Sequence, residues 1–180
     1  HPLDAAALTA LAAQLGSDVP FFLQPGPALA TGRGEHVQAF GWFPALRDAW
    51  VLLIHPGFGI ATAWAYQSLA RFPRALNGVP GRSARLIARL EQPDLAAAGA
   101  EFYNSLEAPA LEKYPILQLF QEFLRGEGAA ATLMSGSGST TFAVITGEPG
   151  AQRLREKFLS RYGMRNWTAV APLRGGVAAT

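Results

Sequence analysis

Three observations predict an α+β fold for most of this 180-residue chain. From residue 50 onward, strand and helix patterns alternate as strand, helices, strand–loop–strand, helix, strand. The strand candidates are short apolar runs bounded by Gly or Pro, whereas the helix candidates carry a single apolar stripe. Hydrophobic residues make up 49% of the chain and charged ones only 16%, enough to fill a core. A sheet of four strands with helices packed on one face buries such a set.

The elements follow in order. LDAAALTALAAQLG (3–16) places Leu3, Leu8, Leu11 and Leu15 at helical spacing, with Asp4 near its start and Gly16 as a stop. In SDVPFFL, Pro20 bars helix continuation and biases Val19 toward extended geometry. PALATGRGEHVQAF (27–40) reads as two short strands around a turn containing Gly32 and Gly34. WVLLIHP (50–56) is a buried strand closed by proline. In the segment that follows, Thr62 is placed to cap a helix bearing Trp64, Tyr66 and Leu69.

Residues 73–83 are Pro/Gly-rich and read as loop; 83–92 and 96–107 read as helices. YPILQLFQEFLRGEG (114–128) is amphipathic, with Ile116, Leu117, Phe120, Phe123 and Leu124 on one stripe. AAATLMS and TTFAVIT are strands on either side of SGSGST. Residues 150–163 form a charged helix with Leu154, Phe158 and Tyr162 inward, 167–173 a last strand, and RGGVAAT a frayed tail.

Fifteen basic and 13 acidic residues leave a net charge of +2. No Lys/Arg block interleaved with aromatics is present, which argues against nucleic acid as a partner. No apolar run is long enough to span a bilayer. The absence of cysteine excludes disulfides and thiolate metal sites and permits a cytoplasmic location. His1, His36 and His55 share no metal-site spacing.

Four places could carry chemistry. SGSGST is either a hairpin turn or a loop whose glycines, Gly136 and Gly138, let main-chain N–H groups and Ser hydroxyls approach an anion; a slack linker fits poorly between two tight strands. Asp18, between a helix stop and a rigid proline, is either a turn residue or a base held in a cleft. In HPGFGIATAWAYQSL, Thr62 offers a hydroxyl and Tyr66 a flat face, with Trp64 as a competing core aromatic. In YNSLEAPAL, Asn104 and Glu107 could touch a substrate or simply join two helices.

Together and in this order, LGSDVPFFL, HPGFGIATAWAY, NSLEAPAL and LMSGSGSTTFAVI resemble motifs of the GHMP kinases over roughly residues 8–145. Within that family they are similar to the branch acting on a cytidyl-diphosphate methylerythritol. The resemblance implies transfer of the γ-phosphoryl group of ATP, with Mg²⁺, to the 2-hydroxyl of that small molecule, a step toward isoprenoid precursors outside the mevalonate route. It implies Asp18 as the catalytic base, and Thr62 and Tyr66 as substrate-pocket residues, with Tyr66 stacking on cytosine. Gly136, Ser137 and Gly138 match the loop that closes over phosphates and substrate.

Ser17 and Ser105 depart from the family's usual alanine and aspartate without touching this chemistry. The family's first two motifs, a lysine-bearing strand and a glycine-rich ATP loop, have no counterpart here. The expectation is therefore a C-terminal portion, inactive alone. Residues 1–45 would end an N-terminal ATP-binding lobe, 46–173 would form a ferredoxin-like antiparallel C-terminal lobe, and 174–180 a tail. The missing lobe would be its natural partner, and an uncovered apolar face would favour self-association. Two other readings are a GHMP kinase for homoserine, a mevalonate or a sugar, and a non-catalytic ferredoxin-like binding module.

Overall fold

The computed structural model describes residues 3–34 and 36–173; His1 and the tail from 174 onward lie outside the described residues. Two compact units divide between Phe43 and Pro44.

The smaller unit opens with helix α1, Ala5–Leu15. Asp4 caps it by accepting a hydrogen bond from the Ala7 N–H at 2.7 Å, and Gly16 follows its last turn. Leu3, which precedes the helix, and Leu8, Leu11 and Leu15 within it are all exposed, and Ala12 is its buried residue. Val19–Leu23 is a 3₁₀ turn rather than extended chain. Pro20 sits in its first turn, where the missing N–H costs no helical bond, so the bias it places on Val19 is overridden. Strands β1 (Ala28–Thr31) and β2 (His36–Ala39) pair antiparallel with Thr31 opposite His36, the hairpin expected from TGRGE.

The larger unit holds strands β3 (Ala49–His55), β4 (Ala131–Met134), β5 (Thr141–Thr146) and β6 (Trp167–Pro172) in the sheet order β4–β5–β3–β6, every neighbour antiparallel. Residues alternate between the two faces of a strand. One face carries Leu52, Ile54, Met134, Ala143 and Ile145 into the main core. Two helices cover it: α7 (Pro115–Gly126), through Leu117, Phe120 and Leu124, and α8 (Glu148–Tyr162), through Ala151, Leu154 and Phe158. Phe120 meets Phe158 edge-on at 4.8 Å between ring centres, and Tyr162 closes the cluster at 4.8 Å from Phe120 and 5.0 Å from Phe158. Ile116 is exposed, and Gln121 is buried on α7 in a position the apolar stripe did not include.

The opposite face is not bare. Ala49, Ala131 and Val144 form a second cluster there with Leu46, Leu95 and Phe102, so helical cover is not confined to one side. Helix α5 (Leu95–Gly99) approaches the start of β4 so closely that a side chain at Gly99 would overlap the Ala130 carbonyl.

Two further helix boundaries differ from the sequence pattern. Residues 73–83 contain a short helix, α3 (Pro73–Asn77), begun by a proline at its first position. The stretch 96–107 is not one helix. It is α5, then an irregular link, then α6 (Glu107–Lys113). Helices α2 (Thr62–Leu69) and α4 (Arg82–Leu90) complete the unit. Among the described residues no helix is long and apolar enough to cross a membrane.

Candidate functional site

Strands β4 and β5 pair as neighbours, so SGSGST is first of all the loop of a hairpin. Ser135 N–H donates to Thr140 O at 2.8 Å and Gly138 N–H to Ser135 O at 3.0 Å, drawing the loop into a compact turn. Gly136 and Gly138 have φ of 56° and 90°, a region other residues enter at a cost. Gly138 is also hemmed in: an added Cβ would collide with the Met134 sulfur and lie 3.0 Å from Ile60 Cδ1. Gly136 has open space around it.

Three other segments converge on this loop. Thr62 does not cap α2. Ala61 holds the cap position, Thr62 is the first helical residue, and its hydroxyl instead lies 3.0 Å from Ser137 Oγ. The Ser139 hydroxyl donates to the Phe58 carbonyl in the turn after β3. That turn is itself fixed where Gly57 N–H donates to His55 Nδ1 at 3.1 Å, which makes His55 a strand-end brace. Asn104 and Glu107, at the start of α6, bond to the loop and its entry strand rather than standing free for a substrate. Asn104 Nδ2 donates to both the Met134 and the Gly136 carbonyls at 2.8 Å. Glu107 Oε1 accepts from Met134 N–H and from Gln121 Nε2, each at 2.6 Å. Burial raises the Glu107 pKa above the ordinary 4.5, against the lowering effect of those two hydrogen bonds.

The result is a loop with its glycines in place and its N–H groups unevenly used. Among the described residues the N–H groups of Gly136 and Ser137 meet no acceptor. The first turn of α2 faces the loop through Thr62, and helix N-termini favour negative charge. Backbone donors, hydroxyls and a helix end together suit an anion such as a phosphate. One turn along α2, Tyr66 is 62% exposed, while Trp64 packs beside Tyr114 and under Lys113. Of the two aromatics, Tyr66 is thus the one left open.

Asp18 belongs to the smaller unit. It precedes the 3₁₀ turn, makes no side-chain cap bond, and is exposed, with the Ser17 hydroxyl 3.4 Å from its Oδ1. The β1–β2 turn presses against it: a Cβ on Gly34 would lie 2.7 Å from Asp18 Oδ1 and 2.8 Å from the Ser17 carbonyl. The carboxylate thus lies close to the β1–β2 turn and is open to solvent.

Asn104 is the residue whose role the sequence hid. Asn followed three positions later by Glu is a helix-start signature, and Asn104 Oδ1 does accept from Leu106 N–H at 3.0 Å. Nothing local announces that its other end reaches residues 134 and 136. Among the described residues no three His, Cys, Asp or Glu side chains converge as a metal cluster would require.

Residues 84–163 match the family model described as GHMP kinases C terminal. The 4-diphosphocytidyl-2-C-methyl-D-erythritol kinase of Synechococcus sp. (strain JA-3-3Ab) is 37% identical over 161 residues, covering 86% of this chain and 51% of the relative. A crystal structure of 4-(cytidine 5'-diphospho)-2C-methyl-D-erythritol kinase is similar with a TM-score of 0.66 and 32% identity, over 91% of this chain and 56% of the other. Homoserine kinase from Cytophaga hutchinsonii shares the fold with a TM-score of 0.67 at 21% identity, over 84% and 50% of the two chains. The chain spans about half the length of the curated relatives it matches.

Proposed function

We propose that this chain, which carries a GHMP kinase C-terminal domain, is the C-terminal half of a cytoplasmic ATP-dependent kinase for 4-diphosphocytidyl-2-C-methyl-D-erythritol. The observation that carries the reading is the 135–140 loop, braced by Thr62 from α2 and by Asn104 just before α6, with Glu107 of α6 holding Met134 at its entry. Three of the sequence segments similar to the kinases meet in that one place. Phosphoryl transfer asks chiefly for positioning and charge stabilisation, which such a loop can supply.

In this reading Asp18 accepts the proton of the substrate's 2-hydroxyl as that oxygen bonds to the γ-phosphorus. The bond from the γ-phosphorus to the β,γ-bridging oxygen breaks, and ADP leaves. Gly136, Ser137 and Gly138 form the loop that closes over the phosphates, the N–H groups of Gly136 and Ser137 facing their oxygens and Gly138 shaping the turn. Thr62 fixes Ser137, and Tyr66 stacks on the cytosine ring. ATP supplies the transferred group, and Mg²⁺ carried on it offsets phosphate charge. Residues before this chain would supply the rest of the ATP site, and residues 3–43 would close that lobe.

The test is release of ADP by the complete protein, dependent on both ATP and the cytidyl-diphosphate substrate, with homoserine and mevalonate as rival acceptors. Asp18→Asn should lower kcat by about 10²- to 10⁴-fold with little change in stability. Turnover of homoserine but not of the cytidyl compound would move the chain to another branch. Normal turnover by Asp18→Asn would remove Asp18 as the base.

A further inference from the structure

We propose that Asn104 and Glu107 are positioning residues that set the direction of the loop's anion-facing N–H groups; this rests on the kinase reading above. Asn104 uses its whole amide. Oδ1 accepts from Leu106 N–H, and the two Nδ2 hydrogens go to the carbonyls of Met134 and Gly136. Two carbonyl oxygens turned toward one point repel each other unless a group with two donors stands between them. A carboxylate of the same shape has no donor to offer and would add a third negative group.

The consequence passes through peptide geometry. In a planar trans peptide the C=O and the following N–H point in opposite directions. Drawing the Gly136 carbonyl toward Asn104 therefore turns the Ser137 N–H away from it. That N–H has no acceptor among the described residues. Glu107 fixes the other side of the joint by holding Met134 N–H, so both polar groups of Met134 are bonded to the start of α6. Gln121, buried on α7, braces the carboxylate. The loop's flexible glycines are thus bounded on the β4 side by a rigid helix start rather than by more loop.

The charge requirement gives each residue its own test. Asn104→Asp keeps the shape and removes both donors. Glu107→Ala removes the acceptor for Met134 N–H, whereas Glu107→Gln retains a carbonyl that can accept it. In the 180-residue chain, NMR relaxation of the Ser137 and Gly138 amides should show loosening in Asn104→Asp and Glu107→Ala while the amides of Leu154 and Phe158 stay unaltered. Glu107→Gln should rescue most of the order lost in Glu107→Ala. If Asn104→Asp does not fold, Asn104→Ser, with one donor in place of two, carries the same measurement. In the complete protein, Asn104→Asp should raise KM for ATP about tenfold, as the two hydrogen bonds that orient the loop carbonyls are lost. Phe158→Leu, a core change of similar thermal cost, should leave that KM near its original value.

A loop that keeps its order in folded Asn104→Asp would overturn the proposal, as would an unaltered KM. If the unsubstituted complete protein fails to use ATP at all, the kinase reading falls. The clamp is then judged by the relaxation data alone.

Discussion

The hydroxyls of Thr62 and Ser137 lie 3.0 Å apart, a hydrogen bond that spans 75 residues of chain and joins the first turn of α2 to the β4–β5 loop. Thr62 is exposed and Ser137 half-buried, so the bond is modest. Thr62→Val and Ser137→Ala, singly and together, should give a coupling of about 0.5–1 kcal/mol in a double-mutant cycle of chemical unfolding. Strictly additive effects would mean that the two hydroxyls do not depend on each other.

The two loop glycines should respond unequally to alanine. Both have positive φ, which alone costs about 1–2 kcal/mol for an L side chain. Gly136 faces open space, so Gly136→Ala should stop there. Gly138→Ala must also displace Met134 and Ile60, both buried, adding an overpacking cost of about 1–3 kcal/mol. Thermal melts of the two variants should rank Gly138→Ala well below Gly136→Ala. Equal midpoints would contradict the close packing of Gly138.

These contacts mark the limit of what the sequence could tell. The strands were legible because AWVLLI and TTFAVIT are short apolar runs with hard stops, and α7 and α8 because their stripes persist for several turns. The break between α5 and α6 was less legible: Gly99, Asn104 and Ser105 are poor helix formers among good ones, and the bond from Asn104 to β4 leaves no local trace. The Thr62 hydroxyl looked like a cap because local bonding is all a sequence shows; its partner is 75 residues away. Gln121 broke the apolar stripe because it bonds to Glu107 rather than to solvent. Long-range polar contacts leave no periodicity, and in this chain they build the candidate site.

The exposed leucines in and just before α1 make a prediction about solution behaviour. Leu3, Leu8, Leu11 and Leu15 present an apolar stripe, with Leu15 77% exposed. Stripes of this kind mark surfaces that meet another surface. Sedimentation velocity of the 180-residue chain should show concentration-dependent association that Leu8→Lys combined with Leu11→Glu abolishes. A chain that stays monomeric up to high micromolar concentration would show that the stripe needs no cover.

Glu107 links pH to the stability of the larger unit, and the sign follows from its environment. Burial holds its pKa above the ordinary 4.5, so over the interval between 4.5 and the raised value the folded chain binds more protons than the unfolded one. Stability must then fall as pH rises through that interval. The contribution from neutral Glu107 is fully present below 4.5 and lost above the folded-state pKa. The hydrogen bonds from Met134 and Gln121 limit the loss by favouring the carboxylate, but they do not reverse the direction. Glu107→Gln keeps a neutral group in place at every pH and should flatten this part of the profile. Urea unfolding from pH 4 to pH 8 should therefore show the difference in stability, Glu107→Gln minus the original chain, moving in favour of the glutamine variant as pH rises. A difference that stays constant would mean that the hydrogen bonds to the carboxylate cancel the effect of its burial, and one that moves the other way that they outweigh it.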